Sequence, residues 1–247
     1  MVGFAAAIGR AKAAGAEISV LFLTHGCVDA ATMWPWARGG YARAVARRRA
    51  EAERALEALG VVAVGWSDRP ARHLWRELAE AEAEVRQGVC VAQPDQLWAP
   101  AFEGGNPDHD GVNAIASRFV AAGVSVLEFA EYNLAGGRPR INRFPSATGA
   151  EVELTLTDAE RDAKRRAIGL YPSEAGNIGF TPVQRETFRP LPSHDYSRPP
   201  HTGRLWYARF QWVPFRHPMV DFTDPADVYA AIAAYLEGAA AMPLAPG

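Results

Sequence analysis

With 247 residues, 49% of them hydrophobic and 22% charged, the chain is long enough for one large domain or two small ones, and it can bury a core without disulfides. A net charge of −2 offers no basic face in the total, which speaks against nucleic acid as a partner. Cys27 and Cys90 are too few and too far apart for a disulfide scaffold or a structural zinc cluster, and are expected as reduced, partly buried thiols.

Residues 3–14 are Ala-rich but interrupted by Arg10 and Lys12. They are too short and too charged for a membrane span or a secretory signal. No membrane partner is expected, and the expected location is cytoplasmic. Residues 4–14 read as a helix. Residues 18–24 form a nearly continuous β-rich apolar run, as in a strand buried on both faces. A polar loop with Trp34, Trp36 and Tyr41 follows. Residues 41–59 are Ala/Arg/Glu-rich and helical, closed by Gly60. The spacing then predicts a strand over 61–65, a helix over 70–87 opened by Pro70, a strand over 95–99, a helix over 109–122 and a strand over 124–129.

Helices alternating with short buried strands imply an α/β fold, a Rossmann-like three-layer αβα sandwich with a mainly parallel sheet. No G-x-G-x-x-G follows any of these strands, so a dinucleotide cofactor has no support. The last third is loop-rich. Residues 136–150 carry Gly, Pro, Arg and Asn, and residues 171–200 carry many prolines. Residues 157–168 read as a helix with a Thr157/Glu160 capping box, 205–212 as an aromatic strand, and 224–236 as a helix with Asp224 as N-cap and Pro225 at its first position. The expected organisation is one domain over 1–247, with a core over 1–135 and a C-terminal flap and terminal helix over 136–247.

The stretch that carries chemistry is Phe102-Glu103-Gly104-Gly105-Asn106-Pro107-Asp108-His109-Asp110. It links the carboxyl end of a predicted parallel strand to a helix N-terminus, the edge where open α/β sheets bind ligands. Two glycines permit tight turns, and His109 stands between two carboxylates. A neutral imidazole is a good zinc ligand, and a neighbouring carboxylate can fix its tautomer. Taken alone, though, a His beside an Asp at a helix start is more often a cap than a metal site.

This stretch resembles the second motif of the LmbE-like (PIG-L) N-deacetylases, usually His-Pro-Asp-His after a Gly-rich turn. Other landmarks fall in the same order. Gly3-Phe4-Ala5-Ala6-Ala7-Ile8 resembles the small-residue turn into the first helix, and Leu23-Thr24-His25-Gly26 a strand end. Arg48, Glu51, Ala55 and Leu59-Gly60 resemble the family's Arg-x-x-Glu helix and the Leu-Gly after it, and Asp68 stands where a Pro-Asp-Gly type turn is usual. Glu186-Thr187-Phe188-Arg189 and Pro199-Pro200-His201-Thr202-Gly203 resemble the C-terminal regions. Two departures stand out. The first motif, His-Pro-Asp-Asp-Glu, would fall just before Gly3, so the expectation is an upstream start and an absent first central strand. Asn106 stands where the family usually has His.

The resemblance implies a metal-dependent hydrolase, usually with Zn2+, that removes an acetyl group from an N-acetylated amino sugar or related small amide. The metal would polarise the carbonyl and a bound water, and a carboxylate would move the proton. His109 carries over as a metal ligand, Asp108 as a neighbour that orients it, and Asn106 as an oxyanion donor. The general base maps onto no residue present. Arg48, His25 and His201 are candidates for substrate contact. For each the bland reading is also open: a surface ion pair for Arg48 with Glu51, and loop roles for the two histidines. An inactive paralogue serving as a small-molecule binding module, and a Rossmann-like transferase, are the alternatives. The sequence leaves the oligomeric state open, a homo-oligomer included.

Overall fold

The computed structural model describes residues 1–179, 181–215, 217 and 220–240. The elements run in the order α1 (Ala5–Ala13), β1 (Ser19–Phe22), α2 (Tyr41–Leu59), β2 (Val62–Trp66), α3 (Leu78–Ala92), β3 (Gln96–Pro100), α4 (Pro107–Ala121) and β4 (Ser125–Phe129). Then come β5 (Tyr132–Asn133), β6 (Arg140–Ile141), β7 (Val152–Thr155), α5 (Asp158–Gly169), α6 (Ala175–Ile178), β8 (Arg185–Pro190) and α7 (Pro225–Ala240). The first half thus alternates helix and strand as its hydrophobic periods require. α2 ends where Gly60 takes a left-handed φ of 61°, a conformation that favours glycine. α5 opens with both capping-box bonds in place: Glu160 N donates to Thr157 Oγ1, and Thr157 N donates to Glu160 Oε2.

β1 pairs with β2 in parallel, from Ser19 opposite Val62 to Phe22 opposite Trp66. β3 pairs with β4 in parallel, and β8 and then β7 extend that sheet antiparallel, giving the order β3-β4-β8-β7. β5 and β6 form a small antiparallel ladder of their own. Among the described residues no ladder joins β1 to β3. Side chains meet there instead: Val20 and Phe22 of β1 pack with Trp98 of β3, Phe4, Ile8 and Leu56 in one apolar cluster. The Phe4 ring stands 4.1 Å from Phe129 and 6.2 Å from Trp98.

Alternation along β1 places helices on both faces. Val20 and Phe22 turn toward Ile8 of α1 and Leu56 of α2, whereas Leu21 reaches α3, where a Cβ on Gly88 would lie 3.3 Å from it. The largest core cluster joins α3, α4 and α7 through Leu78, Ile115, Phe119, Val228 and Ile232. On the other side, Glu186 of β8 accepts from Ala6 N and Ala7 N, the first turn of α1, and pairs with Lys164 of α5 at 3.0 Å. No helix among the described residues is long and apolar enough to cross a membrane.

Three expectations are corrected. The helix expected over 70–87 starts later. Residues Leu74–Arg76 make a single 3-10 turn and α3 begins at Leu78. Asp108 is the reason, because its carboxylate takes Arg72 N and Leu74 N away from helical pairing, and Arg72 sits at a φ of 72°. The region 171–200, expected as loop, contains β8. Its Glu and Arg side chains are buried against partners: Glu186 on Lys164, and Arg189 on Glu128 at 2.6 Å. The strand expected over 205–212 is a series of turns, anchored by Trp206 N on Gly104 O at 2.9 Å.

Candidate active site at the carboxyl end of the sheet

The turn from β3 into α4 is fixed by the buried acids of its own motif. Glu103 is fully buried and accepts from Glu131 N at 2.8 Å, Tyr132 N at 2.9 Å and Asn133 Nδ2 at 3.1 Å. Burial outweighs those donors and pushes its carboxyl up to about 8. Asp110 accepts from Glu103 N and Gly104 N at 3.1 Å each and from the Tyr229 hydroxyl at 2.7 Å. Burial pushes it up to about 6. Gly104 sits at a φ of 67°, and a Cβ on Gly105 would come within 2.3 Å of Tyr132 O. Gly105→Ala should therefore displace β5 and lower stability by about 1–3 kcal/mol, the usual cost of overpacking. A urea midpoint left unchanged would show that Tyr132 yields without cost.

At the start of α4, Asn106 is the N-cap, its side chain accepting from Asp108 N at 2.9 Å. Asp108 bonds Arg72 N and Leu74 N, so it ties the 72–74 segment to α4 and makes no hydrogen bond to His109. Burial pushes its carboxyl up to about 6. The carboxylate beside His109 is Glu131, with Oε2 3.0 Å from Nδ1 in an ion-pair contact that lacks hydrogen-bond alignment. Desolvation opposes the imidazolium, but Glu131 prevails and raises the His109 pKa. The same pairing outweighs burial at Glu131 and lowers its pKa. Sequence reasoning passed over Glu131. The available signal was its place two residues beyond β4, at the carboxyl end of a parallel strand.

Of the three substrate candidates, His201 comes to the motif from far along the chain. Its Nε2 would lie 3.4 Å from a Cβ on Gly104, and its Nδ1 meets Thr202 O at 2.9 Å. Arg48 and His25 form a separate group at the end of β1. Arg48 donates to Gly26 O and Ser173 Oγ and pairs with Glu174 and Glu51. His25 Nδ1 accepts from Cys27 N at 3.1 Å, and its Nε2 lies 3.0 Å from the Tyr41 hydroxyl. Burial lowers its pKa. No hydrogen bond among the described residues links this group to the His109 turn.

A cavity of about 500 Å³ opens beside the turn. Arg72 connects the two, since its backbone N–H is on Asp108 while its side chain lines the cavity. The residues present do not fit a metal ion. Among the described residues no three His, Cys, Asp or Glu side chains converge to hold one. His109 and Glu131 make two, and a bound divalent ion needs at least three protein ligands in the usual hydrolase sites.

The model of the PIG-L family, GlcNAc-PI de-N-acetylase, matches residues 1–120. No curated protein matches the chain. Among solved structures, a deacetylase of the teicoplanin biosynthesis pathway superposes with a TM-score of 0.57 at 16% identity, covering 76% of this chain and 91% of that one. The A40926 pseudoaglycone deacetylase gives 0.57 at 16%, covering 77% and 92%. A zinc-inhibited form of the teicoplanin deacetylase gives 0.54 at 16%, covering 76% and 91%. At such identities these likenesses establish the fold. Over residues 1–120, a span that contains Asn106, Asp108 and His109, the chain is similar to the PIG-L (GlcNAc-PI de-N-acetylase) family.

Proposed function

We propose that the chain is an amide hydrolase that removes the acetyl group from an N-acetylated amino sugar or a related small amide. The family match over residues 1–120 carries this reading. The fold shared with the teicoplanin and A40926 pseudoaglycone deacetylases fits it, and so does a small-molecule partner. Residues 1–135 serve as the core and 136–247 as a flap over the motif, and the same reading keeps the protein in the cytoplasm. Zinc is the metal the resemblance implies, and one fold relative was solved in a zinc-inhibited form. Because the residues present do not fit a metal, the roles assigned here belong to this chain's own groups. His109, charged through Glu131, holds a proton for the leaving amine. The Asn106 amide is the candidate donor to the tetrahedral oxyanion. Arg48, His25 and His201 are assigned to substrate contact.

Acetate release from N-acetylglucosamine derivatives tests the reading. His109→Ala should lower kcat/KM by at least about 100-fold, with the KM little changed. Undiminished turnover in that variant rejects the role. Zinc uptake by the chain should stay well below one equivalent after dialysis, because one imidazole and one carboxylate hold zinc poorly against water. Full zinc occupancy in His109→Ala would exclude His109 as a ligand. The two-ligand count also favours a second reading, a binding module without hydrolysis. Ligand binding with no acetate released from any substrate would select it.

A further inference from the structure

Among the described residues, the large hydrophobic side chains left in solvent fall into two kinds. The aliphatic ones are valines, Val62, Val91, Val120 and Val152, each on a different element: β2, α3, α4 and β7. The aromatic ones, Trp34, Trp36, Phe210, Trp212, Phe215 and Phe222, all fall within 34–36 and 210–222. These two segments touch. Trp34 stacks on Trp36 with ring centroids 5.1 Å apart, and His217 meets Trp34 at 5.4 Å and Phe215 at 6.3 Å. Gln211 Nε2 donates to Asp221 O and Thr223 O, so the chain on both sides of Phe222 is tied to the residue before Trp212. Trp36 is 79% exposed and Trp212 70%, so most of each side chain stands outside the packed fold. A contiguous apolar surface of this kind marks an interaction site.

The charge along these segments has one sign. Residues 30–50 contain five arginines and no acidic residue, and residues 196–220 contain four arginines and no acidic residue, in a chain whose net charge is −2. Arg38 and Arg204 are exposed and bond backbone carbonyls: Arg38 donates to Ala31 O and Met33 O, and Arg204 to Arg209 O. The acids that border the patch are Asp29, Asp221 and Asp224. Each accepts from a backbone N–H, of Ala31, Thr223 and Ala226 respectively, and Asp221 also lies 3.3 Å from Arg72. Aromatic side chains settle at the headgroup level of a bilayer, and arginines beside them gain from a negative leaflet. A second copy of the chain is a poor occupant, because a two-fold contact would set these arginines against their own images.

We propose that the segments around Trp36 and Trp212 dock the protein on an anionic lipid bilayer, with Trp36, Trp212 and Phe215 among the headgroups and Arg38 and Arg204 on their negative charge. Burial of the rings supplies the apolar contact, and the guanidinium forks supply charge-assisted hydrogen bonds. Docking of this kind lies on the surface of the bilayer and needs no helix that spans it. Trp34 and Phe222 line the cavity beside the turn, so the docking surface includes part of its lip. The proposal goes beyond the amide-hydrolase reading and does not rest on it.

Co-sedimentation of the full chain with lipid vesicles at low salt tests this. Equimolar phosphatidylcholine/phosphatidylglycerol vesicles should bind it at least about tenfold more tightly than phosphatidylcholine alone. Trp36→Ser with Trp212→Ser should weaken that binding at least about tenfold. Arg38→Gln with Arg204→Gln should erase the preference for the anionic vesicles. Val152→Thr, at an exposed apolar position on β7 outside the patch, should change neither affinity. Brominated acyl chains in the same anionic vesicles should quench the tryptophan emission of the unaltered chain, which reads insertion without any substitution. No sedimentation with the anionic vesicles, equal affinity for the two lipids, absence of quenching, or indifference to the paired tryptophan variant overturns the proposal. Self-association that this variant abolishes, without vesicle binding, assigns the patch to a second copy and likewise overturns it. Acetate release is measured on soluble substrates without vesicles, so failure of the hydrolase reading and failure of this one are read independently.

Discussion

Lys164→Met should lower the unfolding free energy by about 3–5 kcal/mol, the usual cost of stripping one partner from a buried ion pair. Lys164 and Glu186 are 0% and 1% exposed at the side chain and 3.0 Å apart. Burial lowers the lysine pKa even with the carboxylate beside it. Lys164 also donates to Gly3 O, and Glu186 accepts from Ala6 N and Ala7 N. One contact therefore joins α5, β8 and the first turn of α1, a helix with no side-chain N-cap of its own. Removing the ammonium leaves a carboxylate buried with two amide donors. The double variant Lys164→Met/Glu186→Gln should recover part of the loss, with a coupling of about 1–3 kcal/mol between the two sites. Urea unfolding measures both. A single-variant loss below about 1 kcal/mol would show that water already reaches the pair.

Stability should fall as pH rises from about 5.5 to 8.5. Glu103, Asp108 and Asp110 are pushed up to about 8, 6 and 6, chiefly by burial. In the unfolded chain such groups titrate near 4. Between the two values the folded state binds more protons than the unfolded state, so the slope of stability with pH is negative. This contribution is complete below about pH 4, and is lost through about pH 6 for the aspartates and about pH 8 for Glu103. His109 has the same sign, since its pKa is raised and its contribution is lost above that value. Glu151, held near 2 chiefly by the Thr148 backbone N–H, and Glu160, held near 2 chiefly by the Arg10 guanidinium, act oppositely and only toward acid, where their contribution is lost. Each tenfold gain in proton affinity on folding corresponds to about 1.4 kcal/mol, so the fall should amount to a few kcal/mol. Glu103→Gln should flatten its upper half. A midpoint that is level or climbs over this range would contradict the burial of these acids.

Much of the core was legible in the sequence because it rests on local rules. Apolar periodicity and end signals located α2 with Gly60 after it, α5 with its capping box, and the strands β1 to β4 within a residue or two. The Gly-Gly turn before His109 was likewise visible as a strand-to-helix link. What was not legible has one physical cause. Charged residues read as surface until a partner distant in sequence is known. Glu186, Thr187 and Arg189 look like loop, yet Lys164 and Glu128 allow them to be buried in a strand.

The candidate site divides in the same way. Position at the end of a parallel strand drew attention to Asp108 and His109, and only the resemblance to the LmbE-like deacetylases gave them and Asn106 roles. The direction of each side chain was not encoded locally. Asp108 went to Arg72 and Leu74, and Glu131 took the place beside His109. His201 reached Gly104 because the loop of residues 200–205 packs on a glycine that leaves it room. The lining of the cavity comes from three segments that meet only in the folded chain. Backbone preference thus set the elements along the chain. Pairing of buried charge and close backbone approach, which depend on distances the linear order does not contain, decided what those elements bring together.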